Sequence, residues 1–399
     1  MVKRLLFLAS FLISTSLGYS QSLKNTTVSL ITFSPGAELY SLFGHSAIRI
    51  NNPLTGDDRV YNFGTFDFGT PNFGLKFTSG RLDYMLAVNS YSEVYQNYLW
   101  EQREMSEQIL NLDNAQKAKI IELLETNYLP ENRFYRYDFL NDNCATRLRD
   151  IIEKATGDSS LFSRAQTSYS KLTYRQLLRQ FLTDYPWVDL GIDLAIGLPG
   201  DKVTNNREKM FLPEYLRQVV AVSKLSNGEK LVSESRPLLT DIREKFDSIN
   251  FLTPLSIFFA LLTLSLLGFS SRQFSRAFAG LFYFALGLLG IILTLTTFAT
   301  DHAAMKGNLN LLWALPFHIV MFRAAAKRSI RKFARYYFIG TGIIALYLLA
   351  SWGRFPQEFN KAIIPILIAI VVTSVQICFH RYSPVIAKQT KKEKKASSV

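Results

Sequence analysis

Cysteine and histidine are scarce in this chain, with two and four residues among 399. The polar first half holds one of each, His45 and Cys144, while Cys378, His302, His318 and His380 fall in the apolar second half. One cysteine with one histidine lacks the spacing and the company of a metal site, so no metal and no cofactor are expected. The tripeptide "DFG" at 67–69 has no glycine-rich loop or catalytic loop to accompany it, which removes a kinase reading. No cysteine follows the first apolar run, so the chain is not expected to be a lipoprotein itself.

Apolar residues are abundant, at 48%, and unevenly placed. The opening "MVKRLLFLASFLISTSLGYSQS" has Lys3 and Arg4, an apolar run from Leu5 to Leu17, then the small residues Gly18 and Ser20. That is the pattern of a secretory signal peptide, residues 1–20, and the run is short for a span. Residues 21–248 have the composition of a soluble domain. Five apolar stretches follow, at about 252–270, 277–299, 309–325, 336–352 and 361–379, each near the roughly 20 residues that a membrane-crossing helix needs. They define an all-α membrane domain over 249–382, and 383–399 is a basic tail.

The net charge of +13 is explained by the loops. Arg272 and Arg276 follow the first stretch, a cluster from Arg323 to Arg335 follows the third, and the tail carries Arg381, Lys388, Lys391, Lys392, Lys394 and Lys395. The positive-inside rule puts these three segments in the cytoplasm. An odd number of spans then places 21–248 outside, as a secretory signal requires. The basic residues become topology signals, and a nucleic-acid partner loses its motive. Cys144 and Cys378 fall on opposite sides and cannot pair.

An unpaired thiol in an exported domain is either reactive or an intermolecular partner. Asn141, Asp142 and Asn143 are cap-forming residues before a helix that runs through "CATRLRDIIEKA". The sulfur then sits at a helix N-terminus, where partial positive charge favours thiolate. His45 lies in "GHSAIRI", and a turn, "NNPLTGDD", leads into "RVYNFGTFDFG", which reads as a β-hairpin. A strand histidine facing a helix-end thiolate is an arrangement that cysteine hydrolases and acyltransferases use. A second reading stays open: Cys144, Leu148, Ile151, Ile152 and Ala155 share one helical stripe, so the cysteine could be a small core residue. Regions 92–127 and 171–183 read as amphipathic helices, with "EQREMSEQILNL" on a solvated face. The aromatic and glycine residues of "YNFGTFDFGTPNFGLKF" suit either strand core or the lining of an acyl groove. Trp313 reads as an interfacial anchor.

"FGHSAIRI", followed about a hundred residues later by "YDFLNDNCATRLRDII", resembles a circularly permuted NlpC/P60 papain-like domain, in which histidine precedes cysteine as in lecithin:retinol acyltransferase-like proteins. More closely, the chain resembles the Bacteroidota lipoprotein N-acyltransferase family. "SGRLDYML", "YLPENRFYRYDFLNDNCATRLRD", "PWVDLGIDLAIGLPGDK" and "TDHAAMKGNLNLLWALP" carry the likeness across nearly the whole chain. The resemblance implies an α+β fold, a permuted papain-like exported domain joined to a five-helix transmembrane domain, in the bacterial inner membrane with the catalytic domain periplasmic. It implies an acyl chain moved from a phospholipid or acylated lipoprotein through a Cys144 thioester to the N-terminal amine of a lipoprotein, with His45 as base and then acid. Asn62, with Asp67 behind it, is the candidate for orienting the imidazole. Asn143 and the Cys144 N–H are candidates for cap and oxyanion support. His302, Asn308 and Asn310, in an outward loop, are candidates for binding substrate. Two other functions remain: a Cys-His hydrolase acting on a peptidoglycan amide or lipid ester, and a non-catalytic envelope sensor or scaffold.

Overall fold

The computed structural model describes residues 23–165, 171–240 and 252–380. The expected signal peptide and basic tail lie outside the described residues. Short runs of alternating apolar residues form the strands: β1 (Thr27–Phe33), β2 (His45–Asn52), β3 (Asp57–Thr65), β4 (Asp83–Ser90), β5 (Met105–Leu110), β6 (Phe134–Arg136) and β7 (Val232–Leu239). They make one sheet in the order β6-β4-β3-β2-β1-β5-β7, with every neighbouring pair antiparallel. The expected hairpin is its centre, with Ile48 opposite Tyr61 and Asn52 opposite Asp57.

Successive side chains along a strand leave on opposite faces. Val28, Leu30, Ile48, Ile50, Tyr61 and Phe63 accordingly enter one core, with Leu148 and Ile152 of the cysteine helix (Cys144–Thr156) and Ile120 and Leu124 of a second helix. Ile31, Phe33, Ala47, Val60 and Met105 enter another core with Val94. The sheet is therefore covered on both faces, and the cysteine helix is fixed to it by its whole apolar stripe.

The expectation of a continuous helical region over 92–127 is corrected. The helices are Tyr91–Trp100 and Asn114–Tyr128, and between them "MSEQIL" is strand β5, an inner strand between β1 and β7. Glu107 on that strand is only 1% exposed. It bonds Ser29 Oγ (2.6 Å), Arg49 (3.2 Å) and Arg236 (2.8 Å), so its charge is compensated inside the fold.

The chain divides into two compact units. The first is Met1–Phe181 with Lys202–Asp247, and the second is Leu182–Asp201 with Ser248–Val399. The segment "PWVDLGIDLAIGLPGD" thus belongs to the second unit, although the sequence reading kept it within a continuous 21–248 domain. Its helix, Pro186–Ala195, ends with carbonyls that have no intrahelical donor. Asn308 Nδ2 donates to the Leu194 carbonyl (2.6 Å) and Asn310 Nδ2 to that of Asp193 (3.0 Å).

Among the described residues of the second unit, three helices are long and apolar enough to cross a membrane: Arg272–Phe298, Lys332–Ala350 and Lys361–Phe379. Pro254–Leu267 is a shorter apolar helix. The stretch expected as a span at 309–325 is not one helix. A 3-10 turn, Leu309–Leu312, is followed by a helix that begins only at His318. Pro316 explains the break, because it offers no N–H and crowds the preceding turn. The irregular segment packs against glycines of Arg272–Phe298, where an added Cβ would come within 2.2 Å of Ile319 N at Gly287 and 2.4 Å of the Ala314 carbonyl at Gly290. Small residues permit such backbone approach in apolar surroundings. Trp313 is buried here, with Nε1 donating to Asn310 Oδ1 (3.1 Å), which corrects its reading as an interfacial anchor.

Candidate active site

A reactive thiol needs a fixed position first. Asn143 supplies it as the N-cap of the cysteine helix: its Oδ1 accepts the N–H of Ala145 (2.9 Å) and of Thr146 (3.0 Å). Its Nδ2 donates to the carbonyls of Phe139 (2.8 Å) and Phe211 (2.9 Å), tying the helix start to two other segments. The Asn143 N–H in turn is accepted by Thr146 Oγ1 (2.8 Å). Cys144 occupies the first helical position, whose N–H has no intrahelical acceptor, and the Asn143 carboxamide oxygen is engaged by the next two amides.

His45 is placed by Gly44, whose φ of +76° begins the strand immediately after a turn. A Cβ at Gly44 would lie 2.7 Å from the Phe33 carbonyl, so glycine is required twice over. The imidazole stacks on Phe33 with centroids 5.9 Å apart. Its Nε2 is 2.5 Å from Asn62 Oδ1, on the neighbouring strand β3. An amide oxygen only accepts, so Nε2 carries the proton in this bond. That leaves Nδ1 as the ring nitrogen for the hydrogen bond between His45 and Cys144.

The electrostatics follow from this chain. Burial pushes the Cys144 thiol up, but the adjacent His45 charge, its hydrogen bond, and the backbone N–H groups of Ser46 and Ala145 outweigh it, and the net shift is down. Burial pushes His45 down, but Cys144, through charge and hydrogen bond, together with Asn62, outweighs it, and the net shift is up. Both shifts favour a thiolate beside an imidazolium.

Replacing Asn62 by alanine removes one of the contributions that raise His45. The alkaline limb of activity should then move to lower pH and the Cys144 titration to higher pH. The pH dependence of Cys144 alkylation by iodoacetamide reads the second shift. Turnover should fall by about tenfold to a hundredfold, part of the roughly 10²–10⁴ that positioned acid–base catalysis contributes.

Asp67 lies in an exposed turn beyond β3, where its carboxylate accepts the Gly69 N–H (2.8 Å). It serves that turn, and Asn62 bonds the imidazole without it. His302, Asn308 and Asn310 belong to the second unit. His302 is half-buried before the 3-10 turn Ala303–Met305, and both asparagines are buried with their amides on the helix carbonyls named above.

Three residues beside Cys144 escape a reading for nucleophiles and bases. Gly64 has φ +87° at a register shift in β3. A Cβ there would lie 3.6 Å from Cys144 Cβ, 3.6 Å from the Tyr137 ring and 3.8 Å from the Tyr135 hydroxyl. Tyr137 is stacked on Tyr84 at 4.3 Å, and Tyr135 lies beneath the Arg147 guanidinium at 3.5 Å. The available signal was the alternation "FYRY" just before the cysteine turn, a strand pattern too short to stand out.

Comparison with curated proteins and with solved structures returns no match. Two family matches cover most of the chain: residues 18–180 match the Lnb N-terminal periplasmic domain, and residues 246–384 match the Lnb transmembrane domain. The first match falls on the antiparallel α+β domain and the second on the apolar helices that follow it. The chain therefore belongs to the Lnb family of lipoprotein N-acyltransferase-like proteins, membrane proteins with a periplasmic N-terminal domain.

Proposed function

We propose that this protein is a thiol acyltransferase that N-acylates lipoproteins, working from a permuted papain-like domain held at the outer face of the inner membrane by a multi-pass anchor. The observation that carries the reading is the Cys144–His45–Asn62 chain at the start of a capped helix. Family membership supports the lipid substrate, and the apolar helices of the second unit suit an enzyme whose donor and acceptor are both in the bilayer.

The chemistry follows in two halves. The Cys144 thiolate attacks an ester carbonyl of a phospholipid or acylated lipoprotein. The tetrahedral intermediate collapses, the carbon–oxygen bond breaks, and the His45 imidazolium gives its proton to the departing alkoxide. The acyl group is left as a thioester on Cys144. Neutral His45 then takes a proton from the α-amine of the lipoprotein's lipidated cysteine as that nitrogen attacks the thioester. An amide forms and the thiolate returns, with the proton back on His45. The step needs no cofactor, because thioester aminolysis is downhill.

The decisive experiment supplies purified protein with acyl-labelled phospholipid, with and without a lipopeptide bearing a free N-terminal amine. The expected result is label in amide linkage on the peptide, formed only when acceptor is present. Label released solely as free fatty acid in both arms would replace this reading with a lipid esterase. An unlabelled protein and unchanged phospholipid would favour a non-catalytic envelope role.

A further inference from the structure

The Tyr135 side chain is 8% exposed, and its hydroxyl has no hydrogen-bond partner among the described residues. An orphaned buried hydroxyl carries an uncompensated desolvation cost, so native folds rarely keep one without use. Here the ring is fully held. It pairs across β6–β4 with Tyr84, meets Phe63 edge-on at 6.3 Å, and is covered by Arg147, whose guanidinium is itself locked to Asp142 at 2.6 and 2.8 Å. What the packing leaves unengaged is the hydroxyl. That atom and Cys144 Cβ both lie within 4 Å of the one point where a Gly64 side chain would begin. Glycine at 64, with its positive φ, leaves that point between them without a side chain.

We infer that the Tyr135 hydroxyl is a catalytic hydrogen-bond donor, stabilising the oxyanion formed when Cys144 attacks an acyl carbonyl. The inference rests on the reading of Cys144 as an acyl-accepting nucleophile, and not on which acceptor later receives the acyl group. In the attack, the sulfur lone pair forms the S–C bond and the carbonyl π pair moves onto oxygen. The phenol keeps its proton and donates a hydrogen bond to that oxygen, beside the N–H of Cys144. On collapse the electron pair returns to carbon, the alkoxide leaves with the His45 proton, and the Tyr135 bond is released. A donor with no partner in the resting site gains its partner only as charge develops, which is the condition for stabilising the transition state over the ground state.

The test is Tyr135→Phe in the full-length protein, read by three measurements. The first is acylation of Cys144 by a p-nitrophenyl acyl ester, followed by nitrophenolate release and intact mass. The second is alkylation of Cys144 by iodoacetamide, a displacement that forms no oxyanion. The third is thermal stability. We expect acylation to slow by about 10²–10³-fold, the loss typical when one oxyanion donor is removed. Alkylation should stay within about twofold, and Tm should be unchanged or higher, since deleting an unpaired buried hydroxyl removes a cost. Acylation as fast as in the parent would overturn the inference. Equal slowing of acylation and alkylation, or a lowered Tm, would also overturn it, showing the phenol to be structural. If the parent acylates with the ester but never labels a lipopeptide, the transferase reading fails while the role of Tyr135 is still decided by its own variant. A parent protein that gives no acyl adduct on Cys144 overturns both.

Discussion

Cys144→Ser should lower acyl transfer from labelled phospholipid to lipopeptide by at least about 10⁴-fold, a barrier increase of about 5 kcal/mol. The site is tuned to hold a thiolate beside an imidazolium, and both groups are displaced from their ordinary values in the directions that favour that ion pair. A serine hydroxyl at the same place cannot ionise under such influences, so His45 would have to remove its proton during attack. Asn62 makes His45 a better base, yet a serine hydroxyl is far less acidic than a thiol, so that proton transfer stays steeply uphill. The fold should tolerate the change, because one small polar atom replaces another against the same imidazole. Circular dichroism and Tm close to the parent, together with lost transfer, is the expected pair of results. Full transfer by the serine variant would show that Cys144 is a core residue and that the family's chemistry is performed elsewhere.

Glu107→Ala should lower stability of the first unit by about 3–5 kcal/mol, the range for breaking a buried ion pair from one side. Arg49 is nearly buried and would keep Asp58 (2.7 Å) but lose its second carboxylate, while Ser29 would lose its acceptor. Burial pushes the Glu107 carboxyl up, but Ser29, Arg236 and Arg49 outweigh it and hold the group below the ordinary carboxylate range. A carboxyl lowered on folding stabilises fully above its unfolded pKa, and the contribution disappears as pH falls through the lowered folded value. The parent should therefore lose more stability than Glu107→Ala on acidification below the ordinary carboxylate range. Thermal unfolding at a series of acidic pH values checks both the magnitude and the sign.

These two residues also mark how far the sequence could be read. Cys144 and His45 were legible because each is alone of its kind in the first half of the chain, and because cap residues and a hairpin turn flank them. Strand β5 was not, since Glu107 and Gln108 look like surface residues until their partners are known. Those partners, Arg49 on strand β2 and the Arg217 carbonyl on the helix Pro213–Val222, lie far away in the chain, and no local pattern encodes them. Tyr135 was hidden for the opposite reason: nothing in a single tyrosine says that its hydroxyl will be left without a partner. The break in 309–325 had a readable cause in Pro316, but the apolar composition outweighed it. The assignment of Leu182–Asp201 to the second unit depends on asparagines more than a hundred residues later.

That last feature bears on how the molecule is made. The ribosome finishes the helix Pro186–Ala195 well before Asn308, Asn310 and Asn360 exist, and these later residues hold its terminal carbonyls and its acidic side chains. The second unit cannot be completed in one pass from N- to C-terminus; the helix Pro186–Ala195 has to wait for those later partners. A chain severed near residue 246 would be released with that helix still attached and its binding partners missing. Secretion of such a fragment should invite capture by periplasmic chaperones or proteases, whereas co-expression with the remaining C-terminal piece should rescue it.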